Sequence, residues 1–351
     1  MEAIGNILWA IISFYNFLLI RIVIVLVMML MTAAYLVYFE RKISAWAQNR
    51  LGPNRVGWYG LLQSFADVFK LLFKEDIVPE VANKKIHALA PMIALFVAFT
   101  TYAVIPIGPG ITIAGFDIPI VIADVNIGIL YVLALTSIGV YAITFAGWSS
   151  GSKYSLLGGI RSSAQMISYE ISMGFSIGGV ILLSESLRPM AIVESQSGWM
   201  WNAFIQPIGF VTFLVSAFAE TNRLPFDLPE AEPELVGGYH TEYSSMKFAA
   251  FFLAEYANML VASTLIVTLY LGGWQIPYIE TLGLSSGLVL ALQVAGFFVK
   301  VGALLFFFIW VRWSIPRFRY DQLMNLGWKV MFPLSLFNII WVAVLIMIFK
   351  L

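Results

Sequence analysis

Long apolar stretches recur along the whole 351-residue chain, and they constrain its fold more than any other feature. The mean hydropathy is +0.88, and 60% of the residues are hydrophobic, which is not the composition of a soluble domain. Each of eight stretches is close to the ~20 residues that a helix needs to cross ~30 Å of hydrocarbon. These stretches cover about 8–38, 86–106, 124–147, 164–184, 203–219, 248–271, 290–311 and 329–350. The sequence therefore predicts an all-α polytopic membrane protein with eight transmembrane helices.

The chain shows no internal repeat and no low-complexity linker, which indicates a single membrane domain over residues 1–351. The first apolar run is too long for a cleaved signal peptide, so we interpret it as a retained membrane helix. Two longer polar loops interrupt the apolar pattern, at about 40–85 and about 220–247.

The residues that usually hold redox cofactors are scarce. The sequence has no cysteine, which excludes disulfides, thiolate metal sites and cysteine-ligated iron–sulfur clusters. Its two histidines, His87 and His240, lie on different segments, and no nucleotide-binding glycine motif is present. We expect neither a metal nor a covalently bound cofactor, so electrons for any redox reaction must come from elsewhere.

Loop charges predict the orientation in the membrane. Of the 20 basic residues, sixteen lie in the loops that follow odd-numbered predicted helices, whereas the loops after even-numbered helices hold only Arg188. By the positive-inside rule, both long polar loops face the inside, and both termini lie outside.

The first inside loop contains an amphipathic segment, "GWYGLLQSFADVFKLLFKED". Its apolar residues at helical spacing are Trp58, Leu61, Leu62, Phe65, Phe69, Leu72 and Phe73, and its polar ones include Gln63, Asp67, Lys70 and Lys74. This pattern is typical of a helix that lies in the membrane interface. It predicts either a simple anchor, which the pattern alone favours, or one wall of a site for a membrane-soluble ligand.

The second polar loop, "ETNRLPFDLPEAEPELVGGYHTEY", concentrates acid in an otherwise apolar chain. Its carboxylates are Glu220, Asp227, Glu230, Glu232, Glu234 and Glu242, and Arg223 is its one basic residue. Three prolines prevent a continuous helix. Crowded carboxylates titrate as a coupled set and can pass protons, although a charge run is more often a solvated partner-binding loop. The interleaved leucines and Phe226 argue against full solvation.

Ionisable residues also lie inside the predicted membrane helices. Glu170, Glu255 and Lys300 occupy apolar surroundings, and Asp124 and Glu220 lie at helix ends. Such residues usually face a bundle interior and mark an ion path. The alternative is a buried Glu–Lys pair that holds helices together. Small residues around Glu170 predict close helix packing under either interpretation.

Four blocks of the chain closely resemble one family. They are "ERKISAWAQNRLGPNRVGWYGLLQSFADVFKLLFKED", "AGWSSGSKYSLLGGIRSSAQMISYE", "AETNRLPFDLPEAEPELVGGYHTEYSSMKFAAFFLAEY" and "RFRYDQLMNLGWKV". The family is the quinone-site membrane subunit of proton-pumping NADH:quinone oxidoreductase, respiratory complex I, which carries the letter H in bacteria and the number 1 in mitochondria. The resemblance runs over nearly the whole chain.

The resemblance implies a function that the residues alone do not supply. Members help to form the quinone chamber together with peripheral-arm subunits, and they couple quinone reduction to proton translocation. Quinone is the substrate, and FMN and iron–sulfur clusters are expected on partner subunits. Further expected partners are small and antiporter-like membrane subunits and the lipid bilayer, with no nucleic acid. The implied location is an energy-coupling membrane, such as the bacterial cytoplasmic (inner) membrane.

The resemblance also implies roles for particular residues. The expected quinone-chamber residues are Arg41, Arg50, Asp67, Phe226, Glu230, Glu232 and Glu234. The expected proton-path residues are Glu170, Glu220, Asp227, Glu242 and Glu255. In the family, these groups form a polar chain from the quinone chamber to the middle of the membrane arm.

Two other functions remain open from the sequence. One is an autonomous proton or sodium transporter with its path through Glu170 and Glu255. The other is the equivalent anchor subunit of a related complex: a membrane-bound hydrogenase, a ferredoxin-linked form or a deazaflavin-oxidising form. The electron-input subunit that accompanies the chain distinguishes these complexes.

Overall fold

Helices dominate the structure, a computed structural model that describes residues 2–113, 116–228 and 235–349. The α-helices in these ranges are α1 (Glu2–Ala47), α2 (Gln63–Leu72), α3 (Lys84–Thr101), α4 (Gly128–Ser149), α5 (Lys153–Ser184), α6 (Pro189–Ser195), α7 (Asn202–Ile205), α8 (Pro207–Glu220), α9 (Ser245–Tyr270), α10 (Ser286–Ser314), α11 (Tyr320–Asn325) and α12 (Phe332–Phe349). An antiparallel hairpin of β1 (Gly108–Ile113) and β2 (Phe116–Ile120) lies between α3 and α4. The prediction of a helical polytopic membrane protein is confirmed, with this small hairpin as an addition that the apolar pattern did not reveal.

Among the residues that the structure describes, seven helical segments are long and apolar enough to cross a membrane. They are Leu18–Ala47, Lys84–Val104, Gly128–Ser149, Lys153–Ser184, Ser245–Tyr270, Ser286–Ser314 and Tyr320–Phe349. The predicted span at 203–219 corresponds instead to the short α7 and the 14-residue α8, which are separated at Gln206. Alone, α8 is shorter than the ~20 residues of an ordinary span.

Two helices extend well beyond their predicted ends. The first continues through its polar end to Ala47, because no helix-breaking residue occurs before Asn49, whose φ of 51° ends the helical path. The fourth begins at Lys153 rather than at 164, because its polar first half packs inside the bundle. There, the hydroxyl group of Ser162 donates to Oδ1 of Asn222, in the loop after α8, at 3.0 Å. Polar sequence here is therefore helix, and not loop.

The helix α9 lies at the centre of the bundle. It packs against α1, α3 and α10, and 72% of its most apolar 18-residue stretch is buried inside the chain. On one side, α3, α4 and α5 pack in sequence order, and α5 also contacts α8 and α12. A central helix that is apolar nearly all round is expected where other helices cover every face.

Small residues allow close approach of helices around α5, as the sequence predicted. A Cβ atom on Gly147 of α4 would lie 2.5 Å from the carbonyl oxygen of Ser155, which is too close for any other residue. A Cβ atom on Gly179 would lie 2.4 Å from Oε1 of Gln206. These contacts hold α5 against α4 on one face and α8 on the other.

The bundle has two ends with different chemistry. The basic end, as we call it, comprises residues 40–85, 149–153, 220–228, 235–247 and 312–320. At the opposite end, Arg188 forms a bidentate ion pair with Asp124, which lies in the loop before α4. The first turn of α8 is near that opposite end, since neighbouring Asn202 donates to the carbonyl of Leu269 at 2.8 Å, whereas the chain just after α8 reaches the basic end.

Candidate functional site

A buried ion cluster lies at the basic end and joins three helices and a loop. It consists of Glu40 of α1, Arg223 of the loop after α8, Glu255 and Tyr256 of α9, and Arg312 of α10. The carboxylate of Glu40 accepts from Arg223 at 2.8 Å, from Tyr256 at 2.8 Å and from Arg312 at 2.5 Å. Groups as far apart in sequence as α1 and α10 therefore share one carboxylate.

Arg223 is the centre of this cluster. Its side chain is 0% exposed, and its Nε lies 2.9 Å from Oε1 of Glu255. Its guanidinium group also lies over the ring of Tyr256, 4.3 Å from the centroid. With two arginines and two glutamates, the cluster has no net formal charge, which is the condition under which buried charges are tolerated.

A second ion pair lies beside the cluster, between Asp227 and Arg317 at 2.9 Å. The carboxylate of Asp227 is 6% exposed, and burial raises its pKa to about 6 against the lowering effect of Arg317. The charge of Glu255 raises it further. The amide of Phe318 donates to the carbonyl of Pro225 at 3.1 Å and so holds the two loops together. Asp227 is thus able to change its protonation close to physiological pH.

A large apolar cavity of about 690 Å³ lies between α1, α2 and α9. Its volume is within the ~300–1,000 Å³ of small-molecule sites. The walls are mainly aliphatic and aromatic, and the charged residues come from α1, α2 and the chain just after α2. The lining includes Leu30, Met31, Val37, Arg41, Phe65, Asp67, Val68, Lys70, Leu71, Lys74, Phe248, Phe252, Leu253 and Tyr256. Such a site suits a molecule with a long apolar part.

The amphipathic segment forms one wall of this cavity, through α2. Phe65, Val68 and Leu71 line the cavity, whereas Phe69 and Phe73 of the same segment do not line it and are 60% and 88% exposed. The single apolar face expected for the segment is therefore divided between the cavity and the exterior. Ser64 donates to the carbonyl of Ala34 at 2.7 Å, which fixes α2 against α1.

Two predicted chamber residues meet at the edge of the cavity. Arg41 of α1 and Asp67 of α2 form an ion pair at 2.5 Å, and Gln63 donates to the same carboxylate at 3.0 Å. Both charged side chains are partly exposed, so the pair contributes little to stability. Its position supplies charge at one edge of an otherwise apolar space.

Tyr256 links the cavity to the ion cluster. Its side chain is part of the cavity wall, and its hydroxyl group donates to Glu40 inside the cluster. Among the residues that line the cavity, it is the one with a described hydrogen bond to a cluster carboxylate. The cavity and the ion cluster are therefore separated by a single side chain.

A small cavity continues from the other side of the cluster. It has a volume of about 50 Å³ and is lined by Glu220, Asn222, Glu255, Asn258 and apolar neighbours. That space suits a few water molecules, each of which needs roughly 15 Å³. Glu255 is thus in contact with both the cluster and this cavity.

Glu170 lies further along α5, next to Glu220. It accepts a hydrogen bond from Ser137 of α4, and its charge interacts with that of Glu220. Two carboxylates in one low-dielectric region repel each other. Glu255, Glu220 and Glu170 therefore form a series of acidic groups that leads from the cluster into the bundle.

Three other predicted site residues lie elsewhere. Arg50 donates to Gln48 at 2.7 Å in an exposed turn. Phe226 packs in the core, with its ring 5.4 Å from that of Tyr169. Glu242 precedes Tyr243, whose ring stacks on His87 at 3.9 Å, so Glu242 is near the start of α3. None of the three is among the residues that line the large cavity.

The remaining predicted chamber residues, Glu230, Glu232 and Glu234, lie outside the described residues. The same holds for Pro229 and Pro233 of the predicted acidic loop. Within the described ranges, no group of three or more His, Asp or Glu residues is arranged to hold a metal ion.

Five residues of the site were not predicted as members: Glu40, Arg223, Tyr256, Arg312 and Arg317. The sequence offered a weak signal for them, because a basic residue among several acids, and acids inside membrane helices, need partners of opposite charge. It could not identify those partners, since α1 and α10 come together only in the folded bundle.

The fold and the site together define a class: a polytopic helical membrane protein with a buried ion cluster beside a large apolar cavity. The sequence profile of the family described as NADH dehydrogenase matches residues 20–343. The chain is 56% identical to NADH-quinone oxidoreductase subunit 8 of Rhodothermus marinus over 332 residues, 92% of this chain and 95% of the relative.

Other relatives give the same result. The NADH-quinone oxidoreductase subunit that is lettered H in Salinibacter ruber is 52% identical over 92% of this chain and 93% of its own length. In Geobacter sulfurreducens, the copy of this H subunit that is numbered 1 is 51% identical over 95% of this chain and 96% of its own length. The chain belongs to the NADH dehydrogenase family and is the membrane subunit of respiratory complex I that carries the letter H in bacteria.

Proposed function

We propose that the chain forms the membrane side of a quinone-binding chamber and couples quinone reduction to proton translocation. The observation that carries this proposal is Tyr256, which lines the apolar cavity and hydrogen-bonds to the buried ion cluster. The names of the relatives supply quinone as the substrate of their enzyme. The chain acts as part of a translocase and has no redox centre of its own.

The cavity fits the chemistry of a membrane quinone. Its aliphatic and aromatic walls suit an isoprenoid chain, and the Arg41–Asp67 pair offers charged groups at one edge. FMN and iron–sulfur clusters on partner subunits deliver the electrons. In this proposal, Glu230, Glu232 and Glu234 of the acidic loop complete the chamber together with peripheral-arm subunits.

The coupling route runs from the cavity into the membrane. Reduction of quinone adds negative charge, which draws protons toward the cavity and disturbs the balance of the ion cluster. Tyr256 and Glu40 receive this change, and Glu255 passes it through the small cavity to Glu220 and then to Glu170. Asp227 and Glu242 adjust the charge at the basic end.

The coupling function also requires a defined topology. We include α8 as an eighth crossing, because its two ends lie at opposite ends of the bundle. Both termini then share one side, which the loop charges assign to the outside of an energy-coupling membrane, such as the bacterial cytoplasmic membrane. Neighbouring small and antiporter-like membrane subunits receive the signal from Glu170.

Filling the cavity tests the proposal. Ala34 of α1 lines the cavity, so Ala34→Trp should obstruct the apolar space and raise the KM for quinone at least several-fold. Ala303→Trp, at an exposed position of α10, is the matched control and should leave the KM unchanged. Equal KM values in both variants, with Ala34→Trp assembled normally, would show that quinone does not use this space.

The electron donor needs a separate experiment. Gentle purification of the assembly from its native membrane, followed by mass spectrometry, should recover flavin- and iron–sulfur-bearing NADH-oxidising subunits. Hydrogenase or ferredoxin-binding subunits in their place would keep the cavity and replace the donor. Recovery of a lone, stable chain would contradict the proposal.

A further inference from the structure

The side chain of Lys300, in α10, ends among backbone carbonyls rather than beside a carboxylate. Its Nζ donates to the carbonyl oxygens of Leu271 at 2.8 Å, Gly273 at 3.0 Å and Gln275 at 2.8 Å. The ring centroid of Trp201 lies 4.3 Å from the same atom. All three ammonium hydrogens thus have an acceptor. The Glu–Lys pair left open from the sequence is wrong for this lysine, because no ion pair among the described residues includes it.

The turn that supplies these oxygens is shaped by two glycines. Gly272 and Gly273 have φ values of 70° and 51°, in the left-handed region that favours glycine. Their amides point away from Lys300, to Oε1 of Gln196 at 3.1 Å and to the carbonyl of Val267 at 2.8 Å. The carbonyl oxygens are left to converge on the opposite side, where the C-terminal end of α9 adds its partial negative charge.

The three carbonyl oxygens and the ring of Trp201 together form a cage around the Nζ atom of Lys300. The position of Trp201, the aromatic wall of this cage, is also fixed. A Cβ atom on Gly272 would lie 2.7 Å from Nε1 of Trp201, so only glycine lets the indole ring approach the turn. An aromatic face and converging carbonyl oxygens are the two groups that recognise ammonium ions in the absence of a counter-charge. The shape of the cage therefore does not depend on the lysine side chain alone.

We propose that the turn after α9, with Trp201, is a binding site for a primary ammonium group, and that Lys300 occupies it as a ligand tethered within the chain. The site is distinct from the ion cluster and the two cavities, and the proposal does not depend on the coupling function. Its effect is to fasten α10 to the end of α9, the helix that carries Glu255 and Tyr256.

Truncation of the lysine, followed by chemical rescue, tests the site. Lys300→Ala removes the atoms of one propylammonium ion, so propylammonium is the probe. Hydrogen–deuterium exchange of peptides covering 271–275 in the purified assembly is the readout, because the amides of Gly272, Gly273 and Gln275 are hydrogen-bonded in this turn. Loss of hydrogen bonds to a charged group should speed exchange roughly tenfold or more. Added propylammonium should slow it again.

Four comparisons make the result specific. Tetramethylammonium at equal concentration has no N–H donor and should not rescue Lys300→Ala. Lys300→Met keeps the side-chain volume and should exchange fast with or without propylammonium. Lys153→Ala, at an exposed lysine, should match the wild type. Potassium rescue equal to that of propylammonium would show a site for monovalent cations in general, and would overturn selectivity for a primary ammonium group.

Two outcomes would overturn the proposal entirely. One is a Lys300→Met variant whose turn exchanges as slowly as the wild type, which would mean that the ammonium contacts do not hold the turn. The other is a loosened Lys300→Ala variant that propylammonium slows no more than tetramethylammonium does. If Lys300→Ala does not assemble, the Lys300→Met comparison alone still decides whether the ammonium group holds the turn.

Discussion

Removal of the Arg223 charge should be strongly destabilising, and removal of one carboxylate together with it should be much less so. In Arg223→Met, the apolar side chain fills a similar volume but leaves Glu255 without its ion-pair partner. Glu40 retains Arg312 and Tyr256. The variant thus isolates one uncompensated carboxylate in a buried setting.

The size of the effect follows from burial. The side chain of Arg223 is 0% exposed and that of Glu255 is 15% exposed, so solvent screens this pair very little. Breaking a buried ion pair by removing one partner costs about 3–5 kcal/mol. We therefore expect Arg223→Met to lose about 3–5 kcal/mol of stability.

The double variant Arg223→Met/Glu255→Gln restores a cluster with no net charge. It should recover most of the stability lost in Arg223→Met, so the two substitutions should be clearly non-additive. The assay is graded heating of the purified assembly, with the fraction of the subunit that stays assembled measured at each temperature. Glu255→Gln alone is the control. Additive effects, or a single Arg223→Met variant as stable as the wild type, would refute the reasoning.

Three further predictions concern neighbouring groups. Glu170→Gln should lower proton pumping and coupled turnover more than assembly, since it removes a titratable group from the acidic series; normal pumping per electron at normal turnover would contradict this. Because burial raises the pKa of Asp227 from its ordinary value of 3.8 to about 6, the folded state holds this proton more tightly than the unfolded chain, and the resulting stability is full below about pH 4 and is lost as the pH rises to about 6. Asp227→Asn should therefore flatten the thermal-stability profile between these values, and an unchanged profile would show that another group controls it. Asn338→Leu removes the acceptor for the amide of Gly209 at the start of α8 and should cost about 1–3 kcal/mol of stability, measured by graded heating; no loss would mean that the amide finds another partner.

The long helices could be predicted from the sequence because hydropathy alone determines which segments can cross a bilayer. Helix ends were harder to predict, since polar residues such as Ser162 continue a helix when the bundle supplies hydrogen-bond partners. The hairpin and the short α6 and α7 have no hydropathy signal of their own. The break at Gln206 between α7 and the 14-residue α8 is a further case, because the predicted apolar span runs through it.

The acidic residues of the candidate site could be selected from the sequence, but their arrangement in space could not. Glu170, Glu220 and Glu255 were identified because charge inside an apolar helix is costly and therefore informative. Their order in space, and the central position of Arg223, depend on the packing of α1, α8, α9 and α10, which no single segment records. The apolar cavity had only an indirect signal, the amphipathic segment that became α2.

Photolabelling with a light-activated azidoquinone tests the central claim most directly. If the apolar cavity is the quinone chamber, labelled peptides should come from residues 30–41, 64–74 and 246–256, which together line it, and excess unlabelled quinone should suppress the labelling. Ala34→Trp should reduce labelling at these peptides, whereas Ala303→Trp should not. Labelling confined to other segments, or labelling of these peptides that excess quinone does not suppress, would contradict the assignment of the cavity.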